Sequence, residues 1–199
     1  DQCVTYVLEE QGTLFGMVTF VISDMYLDGK VRPVIFARDL RIAPHRDAIR
    51  GWTQHFIPIM DELFHHFGCK HLFAIINSAD VRALNAFIRP RPSRRDLPTY
   101  HLYRRFNLIS LHGRFPWTSP PLPHLKIVRA DESMLDALSY YVSQKSKQRD
   151  LSTVWDQTSF LNKIDRFGSL SLGHFLVAKD LDDNIVGCVA PWSSYQIQE

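Results

Sequence analysis

Residues 42–56 read IAPHRDAIRGWTQHF. An apolar strand end meets Pro44, and an amphipathic pattern with one glycine follows from Arg46 onward. The stretch is a strand-to-helix corner, and the fold is read outward from it. Upstream, VRPVIFARDLRIA (31–43) is rich in β-branched residues and predicts a strand. Downstream, Trp52, Phe56, Ile59, Met60, Leu63 and Phe67 recur at three- and four-residue steps between Asp47 and Phe67. That spacing gathers them on one helix face. Pro58 is expected to kink this helix, and Gly68 to cap its end.

Toward the N-terminus, VTYVLEE (4–10) and TLFGMVTFVISDMYL (13–27) form a predicted antiparallel hairpin around Gln11-Gly12. Asp28-Gly29 is a second turn, leading into the strand at 31–43. Beyond Gly68, HLFAIIN (71–77) is a short apolar strand of the kind buried in a parallel pair. ADVRALNAFIR (79–89) is a helix with Val81, Leu84 and Ile88 in one stripe and Asp80 in its first turn. PRPSRRDLP (90–98) cannot be regular structure, HLYRRFNLISLHGRF (101–115) returns to strand, and the prolines of 117–124 mark an extended linker.

A second unit opens with the strand LKIVRA (125–130). Asp131 is a good N-cap for a helix over 131–148. A shorter helix (158–167) and a hairpin over 174–192, turning at Asp182-Asp183-Asn184, complete it. The order is β-β-β-α-β-α-β, then a linker, then β-α-α-β-β, and neither half reads as a complete domain. The chain starts at Asp1, inside a strand, as a fragment or processed chain would. The halves are expected either to complete one composite fold in permuted order or to belong to a longer chain.

Composition narrows the function. The 199 residues are 45% hydrophobic and 22% charged with a net charge of +2, so no global field favours nucleic acid or an anionic membrane. No apolar run approaches a membrane-spanning length. Three separated cysteines, Cys3, Cys69 and Cys188, form neither a disulfide framework nor a zinc knuckle, which fits a cytoplasmic chain. His65 and His66 are adjacent on a helix and point to different faces, so no metal site is expected. Cys69 reads as a small packed hydrophobe.

Several runs resemble the GCN5-related N-acetyltransferase (GNAT) family. The strand end LRIAP (40–44), RDAIRG (46–51) at the place of the family's R/Q-x-x-G-x-G/A cofactor turn, GCKHLFAIIN (68–77) and DVRALNAF (80–87) follow in the family's order. KIVRADES (126–133) and FLVAKDLDDNIVGCVA (175–190) are similar to the family's opening elements. The resemblance implies a mixed, mainly antiparallel twisted α/β sheet flanked by helices, as parts of two tandem units. Residues 1–115 are the later part of a first unit, 116–124 a proline-rich linker, and 125–199 the opening part of a second.

It further implies transfer of an acyl group, acetyl foremost, from coenzyme A to a primary amine on a small molecule or peptide. The alternative is a non-catalytic GNAT-like binding or scaffold module that partners a catalytic copy. Acetyl-CoA is the implied cosubstrate, with no metal. No membrane or nucleic-acid partner is expected, and a homodimer is left open. Leu40, Ile42, Arg46, Asp47, Ala48, Ile49, Arg50, Gly51 and Asn77 are the implied cofactor contacts. A helix start offers unpaired amides to pyrophosphate, and a splayed strand edge can bind the pantetheine arm as another strand. Ile49 departs from the family's middle glycine and adds bulk where phosphate oxygens would pack.

Asp39 is the implied base; its other reading is a strand-end carboxylate paired with Arg38 or Arg41. The family's tyrosine acid falls on Phe87, which has no proton to donate, and Tyr103 or Tyr100 could reach in from the next segment. Asn77 could equally cap the following helix. Arg89, Arg91, Arg94, Arg95, Arg104, Arg105 and Arg114 form a local basic cluster, read as a grip for the coenzyme 3′-phosphate, an acidic substrate or RNA, or as a solvated loop.

Overall fold

The computed structural model describes residues 2–88, 100–107, 122–168 and 170–191, and of Arg50 and Ala86 it describes the backbone. The chain forms two compact units. One holds the residues up to Asp24 and those from Arg32 onward; the other holds Met25–Val31 with the C-terminal part.

The first unit is built on strands β1 (Gln2–Glu10), β2 (Thr13–Leu27), β3 (Lys30–Ile42) and β4 (Leu72–Ala74), in that spatial order. β1 and β2 are antiparallel, with Thr5 opposite Thr19 and their hydroxyls 2.9 Å apart. The hairpin turns through Gln11 (φ 49°) and Gly12 (φ 78°), and the next through Asp28 (φ 50°) and Gly29 (φ 67°). Two successive positive φ values match the right-handed twist of the flanking strands, which is why these dipeptides make tight hairpins. β4 lies parallel to β3, as the apolar run after Gly68 predicts, but it is three residues long rather than the expected 71–77, with Leu72 and Phe73 half-buried and Ala74 exposed.

Helix α1 (Arg46–Phe67) makes the β3–β4 crossover. Its Phe56, Met60 and Leu63 pack on Val18, Phe20, Ile22 and Ile35 of the sheet, with Trp52, Ile59 and Phe67 around them. Phe20 and Ile35 are fully buried. Gly68 closes the helix at φ 61°, as expected. Pro58 lies inside α1 without ending it, because losing one ladder bond is offset by this packing. Cys69 is buried in the same cluster, and burial raises its thiol pKa, so it is a packed hydrophobe.

Helix α2 (Val81–Phe87) is shorter than the predicted 79–89, since Asp80 stands outside it as N-cap and accepts from the Ala83 amide at 2.9 Å. The strand expected over 101–115 is corrected in part. Residues 101–107 are neither strand nor helix, and 108–115 lie outside the described residues, as do the break at 90–98 and most of the linker.

The second unit holds an antiparallel sheet of β5 (Lys126–Arg129), β7 (Leu176–Lys179) and β8 (Ile185–Val189), in the order β5-β7-β8. Helices α3 (Leu135–Lys147) and α4 (Phe160–Asp165) cover it, burying Leu138, Phe160 and Ile164 with Val177. The helix expected over 131–148 begins as a 3-10 turn, Glu132–Met134, with Asp131 as its cap. Strand β6 (Ser152–Thr153), which the periodicity does not announce, pairs with Met25 and Tyr26 inside this unit. The architecture is thus mixed α/β, mainly antiparallel sheets flanked by helices. Among the described residues no helix is long and apolar enough to cross a membrane.

Candidate functional site

The strand-to-helix corner is shorter than a loop. β3 ends at Ile42, and only Ala43, Pro44 and His45 separate it from α1. The Ala43 amide still bonds to the Phe15 carbonyl of β2 at 2.8 Å. Residues 46–51, expected to form a cofactor turn, therefore lie inside the helix. The Ile49 amide already donates to the His45 carbonyl at 3.0 Å, so it is not free for an anion. The ladder consumes the amides from Ile49 onward, and those of Arg46, Asp47 and Ala48 remain at the open end. His45 is the N-cap and makes no side-chain cap bond.

Around this start, Ala48 is buried, Ile49 is 56% exposed, and Arg46 and Asp47 are exposed. The Arg50 side chain lies outside the described residues. Gly51 is informative, because a Cβ there would meet nothing within 4 Å. Its lack of a side chain serves no packing need, yet a helical glycine costs about 1 kcal/mol relative to alanine. It faces a cavity of about 450 Å³ on the β1–β2 side of the helix, lined by Leu8, Glu9, Phe15 and His55 among others.

On the other side lies the β3–β4 junction. The two strands pair at Ile35–Leu72, Phe36–Phe73 and Ala37–Ala74, with the Phe36 and Phe73 rings stacked at 4.7 Å. β4 stops there while β3 runs on through Arg38–Ile42. On that side the backbone of these residues has no strand partner among the described residues. Leu40 is half-buried against the core, and Ile42 is half-buried at the strand end.

Asp39 sits where β4 leaves, with φ 54° in the left-handed region. A non-glycine residue there costs about 1–2 kcal/mol, and a single such residue inside a strand breaks the pleat as a bulge does. Its carboxylate is 2.7 Å from the Arg38 guanidinium, both exposed, and this bond raises the Arg38 pKa. The pairing with Arg38 is thus present, and it is Arg38 rather than Arg41 that meets the carboxylate.

The two tyrosines separate. Tyr100 packs edge-on against Phe87 at 5.0 Å, in a row that continues to Trp52 and Phe56, and burial pushes its phenol pKa up. Tyr103 is 59% exposed, with the Arg104 guanidinium over its ring at 5.9 Å. Tyr100, which spacing alone did not single out, is the one the fold brings to Phe87. Asn77 uses its side-chain oxygen to accept the Ala79 amide at 2.9 Å and so shapes the turn before α2, while Asp80 does the capping. Of the basic cluster, Arg104 and Arg105 are exposed; Arg89, Arg91, Arg94, Arg95 and Arg114 lie outside the described residues. Among the described residues no group of three or more His, Cys, Asp or Glu side chains is placed to hold a metal.

No known protein family matches the chain, and no curated protein does. Solved structures resemble parts of it. An aminoglycoside N-acetyltransferase in complex with a CoA bisubstrate analogue is similar at TM-score 0.42 and 16% identity, over 58% of this chain and 71% of that one. A ribosomal-protein-alanine N-acetyltransferase from Brucella melitensis biovar Abortus 2308 gives 0.40 and 11%, over 55% and 70%. A Trypanosoma brucei acetyltransferase gives 0.36 and 18%, over 53% and 69%.

Proposed function

We propose that the first unit is the coenzyme-binding part of a GNAT-like acyl-CoA-dependent N-acyltransferase, transferring acetyl to a primary amine on a small molecule or peptide. The observation that supports it best is the free edge of β3. Five residues, Arg38–Ile42, run past the last β4 pair and lead straight into a helix start without a side-chain cap. A pantetheine arm can bond to such an edge as an added strand, and the helix start offers amides and a positive dipole end to phosphate. These residues fit acetyl-CoA, with Arg46 and the amides of Arg46, Asp47 and Ala48 for the phosphates. Leu40 and Ile42 would flank the arm. Bound there, the coenzyme supplies an activated thioester.

Asp39 lies on that edge and is the carboxylate suited to take a proton from the acceptor amine. Arg38 pairs with it at 2.7 Å and must release it, or move with it, for the transfer. Tyr100, packed edge-on against Phe87, is better held than the exposed Tyr103 to give a proton to the departing sulfur. We read residues 1–115 and 125–199 as parts of tandem copies joined by residues 116–124.

A second reading, a non-catalytic module that partners a catalytic copy, draws on two observations: the amide of Ile49 is used within the helix, and Phe87 is locked in the Trp52–Tyr100 row. Calorimetric titration of acetyl-CoA into the chain decides between them. Saturable binding that weakens in Arg46→Ala, together with turnover lost in Asp39→Asn at unchanged binding, is the expected result. Binding without turnover on any amine leaves the module; absence of binding overturns the coenzyme site itself.

A further inference from the structure

The break in β3 at Asp39 does more than bend the strand. Ile35 and Ala37 pack on the core that α1 covers, and simple alternation would send Asp39 there next. Leu40 packs there instead. Asp39, at φ 54°, is thus the extra residue, and the pleat restarts one position late. Arg38 and Asp39 are left together off the core face, both exposed, with Arg38 Nε 2.7 Å from Asp39 Oδ2.

Asp39 is the one carboxylate in Arg38–Ile42, the stretch of β3 that runs on past β4. The group suited to receive an acceptor's ammonium therefore already holds a cation. That cation is a guanidinium, which does not give up its proton in a protein. An incoming ammonium must displace it. A second charge on the same ligand, a carboxylate, makes the exchange favourable, because each side chain then trades one partner for another and no ion pair is lost. A bare amine has no such compensation. The stretch also carries two arginines, Arg38 and Arg41, against one aspartate, so a purely cationic ligand meets an excess of positive charge.

We propose that the acceptor is a free amino acid, whose ammonium takes the Asp39 carboxylate while its own carboxylate takes the Arg38 guanidinium. The inference rests on the reading of Asp39 as the group that receives the acceptor's proton, and it narrows the acceptor to one class. The spacing follows from the pair itself. Neighbouring Cα atoms stand about 3.8 Å apart, so the two heads are rooted close together and part most easily around two charges that are also close. An α-amino acid carries both charges on one carbon, whereas a peptide N-terminus has lost the adjacent carboxylate to its amide bond. The planar guanidinium fork suits the role, since it grips a carboxylate through two parallel bonds.

Saturation-transfer NMR on the chain without coenzyme is the test. The probes are the twenty protein amino acids and, for the tightest binder, the amine left by removing its carboxylate and the acid left by removing its amino group. The amino acid is expected to bind about tenfold more tightly than either, the equivalent of one favourable charge contact. Arg38→Gln is expected to make it no better than the amine, and Asp39→Asn no better than the acid. Misfolding would weaken all three ligands alike. Binding of no amino acid, an amine bound as tightly as its amino acid, or equal losses for the three ligands in both variants overturns the proposal. Acetyl-CoA is titrated separately by calorimetry. An amino acid bound by a chain that ignores acetyl-CoA overturns the coenzyme reading and not the ligand class; acetyl-CoA bound by a chain that prefers the bare amine does the reverse.

Discussion

The helix that begins at Arg46 and the helical turn that begins at Glu132 start in opposite ways. Asp131 closes its own helix start: its carboxylate accepts the Ser133 amide at 3.0 Å, and the bonds to Ser133 hold its pKa below the usual carboxylate value. His45 does nothing comparable, and the first amides of α1 receive no side-chain cap. A capped start is complete within itself, whereas an uncapped one depends on water or a ligand for its amides. The comparison shows that α1 is held by its packed face rather than by a side-chain cap at its start.

The largest test of that contrast removes packing. Phe56→Ala, at a side chain 3% exposed between α1 and the sheet, is expected to cost about 3–5 kcal/mol, read as a fall in the urea midpoint. A loss below about 1 kcal/mol would mean that packing does not hold α1. Next come the caps themselves. Asp131→Ala is expected to cost about 1 kcal/mol, while His45→Ala, which removes no cap bond, should cost only a few tenths. Equal losses would erase the distinction.

Gly51→Ala sharpens the contrast in the other direction. The added methyl meets open space and removes a helical glycine, so stability should rise by about 0.5–1 kcal/mol in thermal melts. Under the coenzyme reading the same change weakens acetyl-CoA binding; a variant that is more stable and binds unchanged would separate Gly51 from the site. The smallest effect is in acid. Asp156 is held down to about 2 by Ser159 first and Thr158 second. A folded-state pKa depressed in this way contributes stability above the ordinary value near 3.8, which is lost as pH falls through about 2. Melting midpoints followed from about pH 5 to pH 2 should fall less steeply in Asp156→Asn than in the parent chain.

Much of the frame was readable residue by residue. Gln11-Gly12, Asp28-Gly29 and Gly68 announce their turns because positive φ is a local demand. The apolar face of α1 shows in its spacing for the same local reason. The strand-to-helix corner was readable in position and not in detail. Arg46, Asp47 and Ala48 do stand at the helix start, within a residue of where the helical period begins at Asp47. What the run 46–51 does not say is that the Ile49 amide is already bonded to the His45 carbonyl, which turns the expected cofactor turn into the first helical turns. The break in β3 at Asp39 and the extra residue in β2 at Phe15 were silent as well. Each is a matter of register, and register belongs to two strands at once. Tyr100 and Tyr103 look alike in the sequence, and only the row of rings from Phe56 to Phe87 separates them.

What was written in the chain, then, is what a few neighbouring bonds govern: the turn dipeptides, the helical stripe and the Asp131 cap. Assembly alone settled where β4 leaves β3, which amides of α1 stay open, and which tyrosine reaches Phe87. Those outcomes depend on contacts between residues far apart in sequence, and a single run of residues carries no record of its distant partner.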